Sequence, residues 1–178
     1  DADGVREDAE GRPVEVTLKT YEKVEGGASM ALILQEDLAR VGVRMSVRTI
    51  EYSDVTRVLV ENRDWELFLM RWGTLDDPQA LVGGIWETHS DWYVWEPHCE
   101  PRTAYDAEIN GIFTRSLTAF EREERLQLFR RFQEIVAEEV PALHLAVPVR
   151  GIACSDRLRN FAPTSNGVYG ISYLYVGE

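Results

Sequence analysis

The segment from Ala28 to Pro78, ASMALILQEDLARVGVRMSVRTIEYSDVTRVLVENRDWELFLMRWGTLDDP, reads as helix, strand, helix, strand. Ala31, Leu34, Leu38 and Val41 recur at three- and four-residue steps among Gln35, Glu36, Asp37 and Arg40, the spacing of one buried stripe on a helix. Gly42 stops that helix, because glycine takes the left-handed conformation of a helix end without a Cβ clash. The period then drops to two: Val43, Met45 and Val47 share one face of a strand, and Arg44, Ser46 and Arg48 the other. Ser53 and Asp54 are suited to cap a short helix carrying Val55, Val58 and Leu59. Trp65 to Trp72 is a nearly unbroken apolar run, as expected of an interior strand in a parallel sheet covered on both faces. Ligands of open α/β sheets bind just outside the carboxyl ends of strands, so the polar loop that follows, Gly73 to Pro78, is the first candidate site.

Upstream, Val14, Val16 and Leu18 alternate with Glu15, Thr17 and Lys19, giving a first strand and completing a βαβ unit. Asp1 to Gly11 is acidic and aperiodic, and residues 1–12 are assigned as a leader or linker. Gly26 and Gly27 open the first helix. Without a GxGxxG or GxxxxGK[ST] pattern they read as a flexible turn rather than an anion cradle.

Downstream, Gln79 to Thr103 holds Trp86, Trp92, Tyr93 and Trp95 among Glu87, His89, Asp91, Glu96, His98 and Cys99. The indoles either line a ligand or protein interface or cover the core of their own domain. A metal set of His89, His98, Cys99 and a carboxylate matches no established spacing. Tyr105 to Leu117 predicts a helix with Ile109, Ile112, Phe113 and Leu117 inward. A second follows, opened by a Thr118/Glu121 capping box and burying Leu128, Phe129, Phe132, Ile135 and Val136. Outside it, Glu121 with Arg125 and Arg130 with Glu134 stand one turn apart. Pro141 ends it, and Ala142 to Val149 reads as a short strand in which His144 is a core or edge residue. The tail ISYLYV needs somewhere to bury.

The 178 residues suffice for one substantial core or for one lobe of something larger. A net charge of -12 argues against nucleic acid and against anionic membrane surfaces. No run reaches the ~18 to 20 apolar residues of a membrane span. The chain has no signal peptide and no initiator Met, and is expected to be a processed or trimmed segment. Cys99 and Cys154 either form a disulfide in an exported protein or are unrelated thiols.

Four stretches in order, PVEVTL, LQEDLARVGVRMSVRTIE, DWELFLMRWGTLDDPQAL and TAFEREERLQLFRRFQEIVAEEVPALHL, resemble one family. They are similar to the C-terminal lobe of the family 5 extracellular solute-binding proteins, the oligopeptide, dipeptide and nickel-type receptors of ABC importers. The resemblance covers roughly Pro13 to Asn160. It implies an α/β periplasmic-binding-protein-like lobe over 13–160, with a mixed, mostly parallel sheet and helices on both faces. It also implies a tail, 161–178, that packs on an N-terminal lobe missing here. The partners implied are that lobe, a small-molecule solute such as a peptide, and an ABC permease at the membrane. The location implied is extracytoplasmic, periplasmic or lipid-anchored at the cell surface, with no cofactor.

In peptide-binding members an Asp three residues past the strand's Trp pairs with the ligand's α-amino group, a charge-assisted hydrogen bond. Here that position is Leu75, followed by Asp76 and Asp77, a departure from the peptide pattern. Either Asp76 takes the role through a one-residue shift, or Asp76 and Asp77 shape the turn before Pro78. The candidate ligand-binding residues are Trp72, Gly73, Thr74, Asp76, Asp77, Trp86, Trp92 and Trp95, with no catalytic residue. Two other classes compete: an acid/base hydrolase pairing Asp76 with His89 or His98, and a protein-interaction domain docking through the Trp-rich loop.

Overall fold

Glu15–Tyr21 (β1) is the middle strand of a three-stranded parallel sheet, flanked by Arg44–Ile50 (β2) and Leu67–Phe68 (β3). This is a computed structural model, describing residues 4–73, 77–94, 101–147, 149, 151–164, 167–168 and 171–177. The chain forms two compact units, Asp1–Gly73 with Asp91–Pro97 and Thr74–Ser90 with His98–Glu178.

In the first unit β1 and β2 pair in register from Glu15 opposite Arg44 to Tyr21 opposite Ile50, and Gly27–Arg40 (α1) crosses between them. Alternation along the strands sorts side chains to two faces. Leu18, Met45 and Leu69 form one core with Ala31 of α1, backed by Val16, Val47, Leu34 and Leu38. The other face holds Val55, Leu59 and Val94, with Tyr21, Ile50, Trp65, Phe68 and Met70 packed around them. Helical segments therefore cover both faces, as the resemblance implies. The expected α1 stripe holds at Ala31, Leu34 and Leu38, but Val41 is half exposed because the helix has already ended at Arg40.

Two expectations for this unit are corrected. The Trp65–Trp72 run is not an interior strand: only Leu67 and Phe68 pair with β1, as a two-residue edge strand. Side chains replace the ladder at both ends, since Glu66 Oε2 accepts from Thr17 N at 2.7 Å and Thr20 Oγ1 donates to Leu69 O at 3.0 Å. Ser53 and Asp54 do not cap a helix either. They lie within a 3₁₀ turn, Tyr52–Asp54, that runs into a π-helical turn, Arg57–Glu61, and Asp54 pairs with Arg57 at 2.7 Å. Between residues 4 and 14 the described backbone is held by hydrogen bonds. Arg6 N donates to Gly42 O and Val14 N to Arg6 O, while Asp8 closes a turn onto Arg12. Gly42 is required there: φ is 82°, and a Cβ would stand 2.9 Å from Gly4 O.

In the second unit Pro78–Leu81 (α2) and Gly83–Trp86 (α3) precede two long helices, Ala104–Ser116 (α4) and Arg122–Glu139 (α5). The core is aromatic. Phe113 meets Phe132 at 5.2 Å and Phe129 at 5.9 Å, and Trp86 meets Phe132 at 5.3 Å, all edge to face. Ile109, Ile112, Ile135 and Val136 are buried, and Leu128 is partly so.

The capping box belongs to α4, where Thr103 and Asp106 exchange bonds, and not to Thr118 and Glu121. Thr118 N and Ala119 N both donate to Arg115 O, so Thr118 finishes α4 and α5 starts without a side-chain cap. The expected Glu121–Arg125 and Arg130–Glu134 pairs give way to bonds between helices. Arg125 reaches Asp77, and Arg131 reaches Glu108 at 2.7 Å, which holds the Glu108 carboxyl below its ordinary pKa.

Residues 142–147 form no strand; Leu143 is 76% exposed and Val147 91%, and beyond them Val149 is 99% exposed. Leu158–Arg159 (β4) pairs antiparallel with Tyr175–Val176 (β7), and Pro163–Thr164 (β5) with Gly167–Val168 (β6). The tail thus has a local partner, though Tyr173, Tyr175 and Val176 stay exposed.

Candidate functional site

A parallel sheet in the order 2-1-3 sends its first connection to one side of β1 and its second across to the other. The crevice at that reversal, outside the carboxyl ends of β1 and β3, is where such sheets bind ligands. The residues around those ends decide what the crevice can hold.

β1 ends on Tyr21, whose ring lies 5.5 Å from Tyr52, just past β2, and 6.5 Å from Phe68 of β3. Lys23 stands over the Tyr52 ring at 4.7 Å, a cation–π contact. Arg71, three residues beyond β3, faces Glu25 at 3.7 Å. One residue further, Trp72 meets Trp92 edge to face at 6.2 Å. Trp72 is partly buried and its Nε1 hydrogen has no acceptor among the described residues, while Trp92 is 39% exposed. A buried N–H without a partner costs about 1–3 kcal/mol, so this one calls for an explanation.

Chemically the rim offers aromatic faces for stacking, one ammonium, one guanidinium and one carboxylate. Sequence reading passes over Tyr21, Lys23, Tyr52 and Arg71. Their signal is position: each closes a strand or follows one, which becomes visible only once strand order is known.

The residues expected at the site separate. Trp72, Gly73 and Trp92 lie together in the first unit, with Gly73 exposed. Trp86 is buried in the aromatic core of the second unit, the core-covering role. Thr74, Asp76 and Trp95 lie outside the described residues, as do His98 and Cys99. Asp77 caps α2 by accepting from Gln79 N at 3.0 Å, and both its oxygens accept from Arg125 Nη2 at 2.8 Å. Arg125 Nη1 also donates to Ser116 O at 2.6 Å, so Asp77 ties the start of α2 to the α4–α5 junction.

Asp77→Ala should therefore cost about 0.5–2 kcal/mol for the lost cap, with the half-exposed ion pair adding little. Urea unfolding measures this. Asp77→Asn, which can still cap, should recover most of it.

His89 is exposed and stands 3.8 Å from Glu87, and His144 lies in the open 142–147 segment. Among the described residues no cluster of His, Cys, Asp or Glu is fit to hold a metal ion, and Cys154 is a free, exposed thiol. A groove of about 520 Å³ between α4 and α5, floored by Ile112 and Leu128, has its charges paired as Arg115–Glu124 and Arg131–Glu108. No helix among the described residues is long and apolar enough to cross a membrane.

No model of a known protein family matches the chain. It is 21% identical over 157 residues to the oligopeptide-binding protein AppA of Bacillus subtilis, covering 86% of this chain and 27% of AppA. It is 17% identical over 161 residues to the nickel-binding protein NikA of Staphylococcus aureus, covering 90% of this chain and 31% of NikA. The solved NikA structure, in complex with Ni(L-His)2, superposes with a TM-score of 0.63 over 90% of this chain and 33% of that one, at 13% identity. The periplasmic binding protein MelB of Agrobacterium fabrum, in complex with stachyose, gives 0.65 over 78% and 22%, at 17% identity. The chain thus spans under a third of the length of the curated relatives it matches. Its fold is that of a periplasmic-binding-protein lobe, and on sequence and fold alike it resembles a segment of the nickel- and oligopeptide-type solute-binding proteins.

Proposed function

We propose that this chain is the C-terminal part of an extracytoplasmic solute-binding protein that captures a small solute for an ABC importer. The observation that carries this reading is the 2-1-3 parallel sheet with Tyr21, Tyr52, Lys23, Arg71, Trp72 and Trp92 around the carboxyl ends of its strands. Such a rim grips by stacking and by a few placed charges, and it needs no nucleophile. The Trp72 N–H waiting for an acceptor fits a face whose partner arrives from outside the unit. The proteins it resembles are binding proteins, and they hold chemically unlike ligands, a nickel–histidine complex in NikA and stachyose in MelB. A peptide, a saccharide and a metal complex are therefore the classes to screen. Thr74, Asp76 and Trp95 remain candidates from the sequence alone.

The exposed Leu143, Leu145, Val147 and Val149, with Tyr173 and Tyr175, support a second part of the proposal. These side chains, the tail among them, pack on the portion of the protein that precedes this chain. Closure of two lobes around the solute then presents it to a membrane permease.

Calorimetry on the full-length protein against the three ligand classes tests the reading. For the solute that binds, Trp72→Ala should weaken affinity at least tenfold, about 1.4 kcal/mol, because it removes the centre of the aromatic face. Solute binding untouched by both Trp72→Ala and Tyr52→Ala would refute the assigned face. Turnover abolished by substituting His89 would replace the receptor with an enzyme.

A further inference from the structure

Arg63 combines two features. Its backbone is left-handed, with φ 50°, where an L side chain is uncommon. Its guanidinium also points inward and makes no ion pair among the described residues: Nε donates to Val60 O at 3.2 Å, Nη2 donates to Tyr93 O at 3.4 Å, and Nη1 is buried without an acceptor.

The first of these bonds belongs to the end of the π-helical turn. A helix end leaves its last carbonyls without partners, and four successive ones are satisfied here from the turn that follows. Arg57 O accepts from Asn62 N at 2.8 Å, Val58 O from Asp64 N at 3.0 Å, Leu59 O from Trp65 Nε1 at 3.2 Å, and Val60 O from Arg63 Nε. A side chain that only closed this turn would leave its outer nitrogens in water. Those of Arg63 instead turn toward residues 91–94, where Tyr93 and Val94 are buried and Val94 packs with Val55 and Leu59. Trp92 is the neighbouring residue, and it meets Trp72 edge to face.

We infer that Arg63 is the positioning residue of the Trp72–Trp92 pair. One planar fork spans the end of the π-helical turn and the carbonyl of Tyr93, fixing the 91–94 segment so that the Trp92 indole stands against Trp72. Arginine suits this because its donors are rigidly spread, whereas a lysine ammonium is a point on a flexible stem. The functional meaning of the pair rests on the ligand face proposed above; its geometry does not.

Arg63→Gly is the decisive variant. Glycine adopts φ 50° freely, so the backbone turn is kept while the guanidinium is removed. Two indoles edge to face at 6.2 Å couple in circular dichroism, and that signal is isolated in the full-length protein as the difference between the parent and Trp92→Phe. Arg63→Gly should lose the same signal, and acrylamide should quench Trp92 more readily, with the thermal midpoint close to the parent's. Arg63→Lys should regain only part of the coupling. Full coupling in Arg63→Gly overturns the inference. Should the glycine variant unfold, full coupling in Arg63→Lys overturns it instead. Because the coupling is read without solute, it decides the role of Arg63 independently of whether the pair touches a ligand.

Discussion

Replacing Phe113 with alanine should destabilise the second unit by about 3–5 kcal/mol, the range for deleting a fully buried aromatic ring. Phe113 has no exposed surface, and it is the ring on which Phe129 and Phe132 both rest, with Trp86 behind Phe132. The loss has three parts: the transfer free energy of the ring, its two edge-to-face contacts, and the cavity left between α4 and α5. Collapse of that cavity is limited on one side, where Ser116 donates to the Gln79 side chain and Arg125 holds Ser116 O. Phe113→Leu keeps most of the volume and should cost less than half as much. Urea unfolding followed by far-ultraviolet circular dichroism reads the difference. A loss below about 1 kcal/mol, the scale of a typical single substitution, would show that Phe113 is not the centre of this core.

The second large effect is expected at Leu59, in the first unit. Leu59→Ala should cost about 2–5 kcal/mol, because the side chain is almost wholly enclosed by an aromatic and aliphatic shell that cannot all move in. Val55 and Val94 share its core, and Tyr21, Trp65, Phe68 and Met70 pack around it. Tyr21 and Phe68 belong to the rim, so the same change should loosen the proposed ligand face. Leu59→Met, which keeps volume, should cost under about 1.5 kcal/mol and leave the face intact. An alanine variant as stable as the methionine one would contradict this account.

How much of this was legible in the sequence depended on whether the signal was local. The β1–α1–β2 unit was readable because three side-chain periods agree over Val14 to Val47, and the structure reproduces it almost residue for residue. The long helices were readable from the same kind of period. β3 was misread because hydrophobicity reports burial and not pairing: past the ladder Met70 packs with Val55, Leu59 and Val94, and Trp72 meets Trp92. The capping box was misplaced because Thr118 with Glu121 fits the usual pattern, while the box that forms uses Asp106 where glutamate or glutamine is expected. The hand-off of Arg115 O to Thr118 N takes Thr118 out of the capping role.

At the candidate site, Trp72 and Trp92 could be named from composition and a strand end. Trp86 could not be told from them, because an indole in a core and an indole on a rim look alike in one dimension. Arg63 carried no sequence signal, since its meaning lies in a carbonyl 30 residues away.

The exposed side chains of Leu143, Leu145, Val147 and Val149 carry a hazard. Four branched aliphatic residues spaced by two are a template on which a second chain can lay itself as a β-ribbon, and high protein concentration favours that. In the sequence Pro148, which lacks an N–H, falls within this run and the charged Arg150 follows it, the residue types that act as gatekeepers against fibrous assembly. Solubility of the isolated polypeptide should then be governed by these few residues rather than by its -12 net charge.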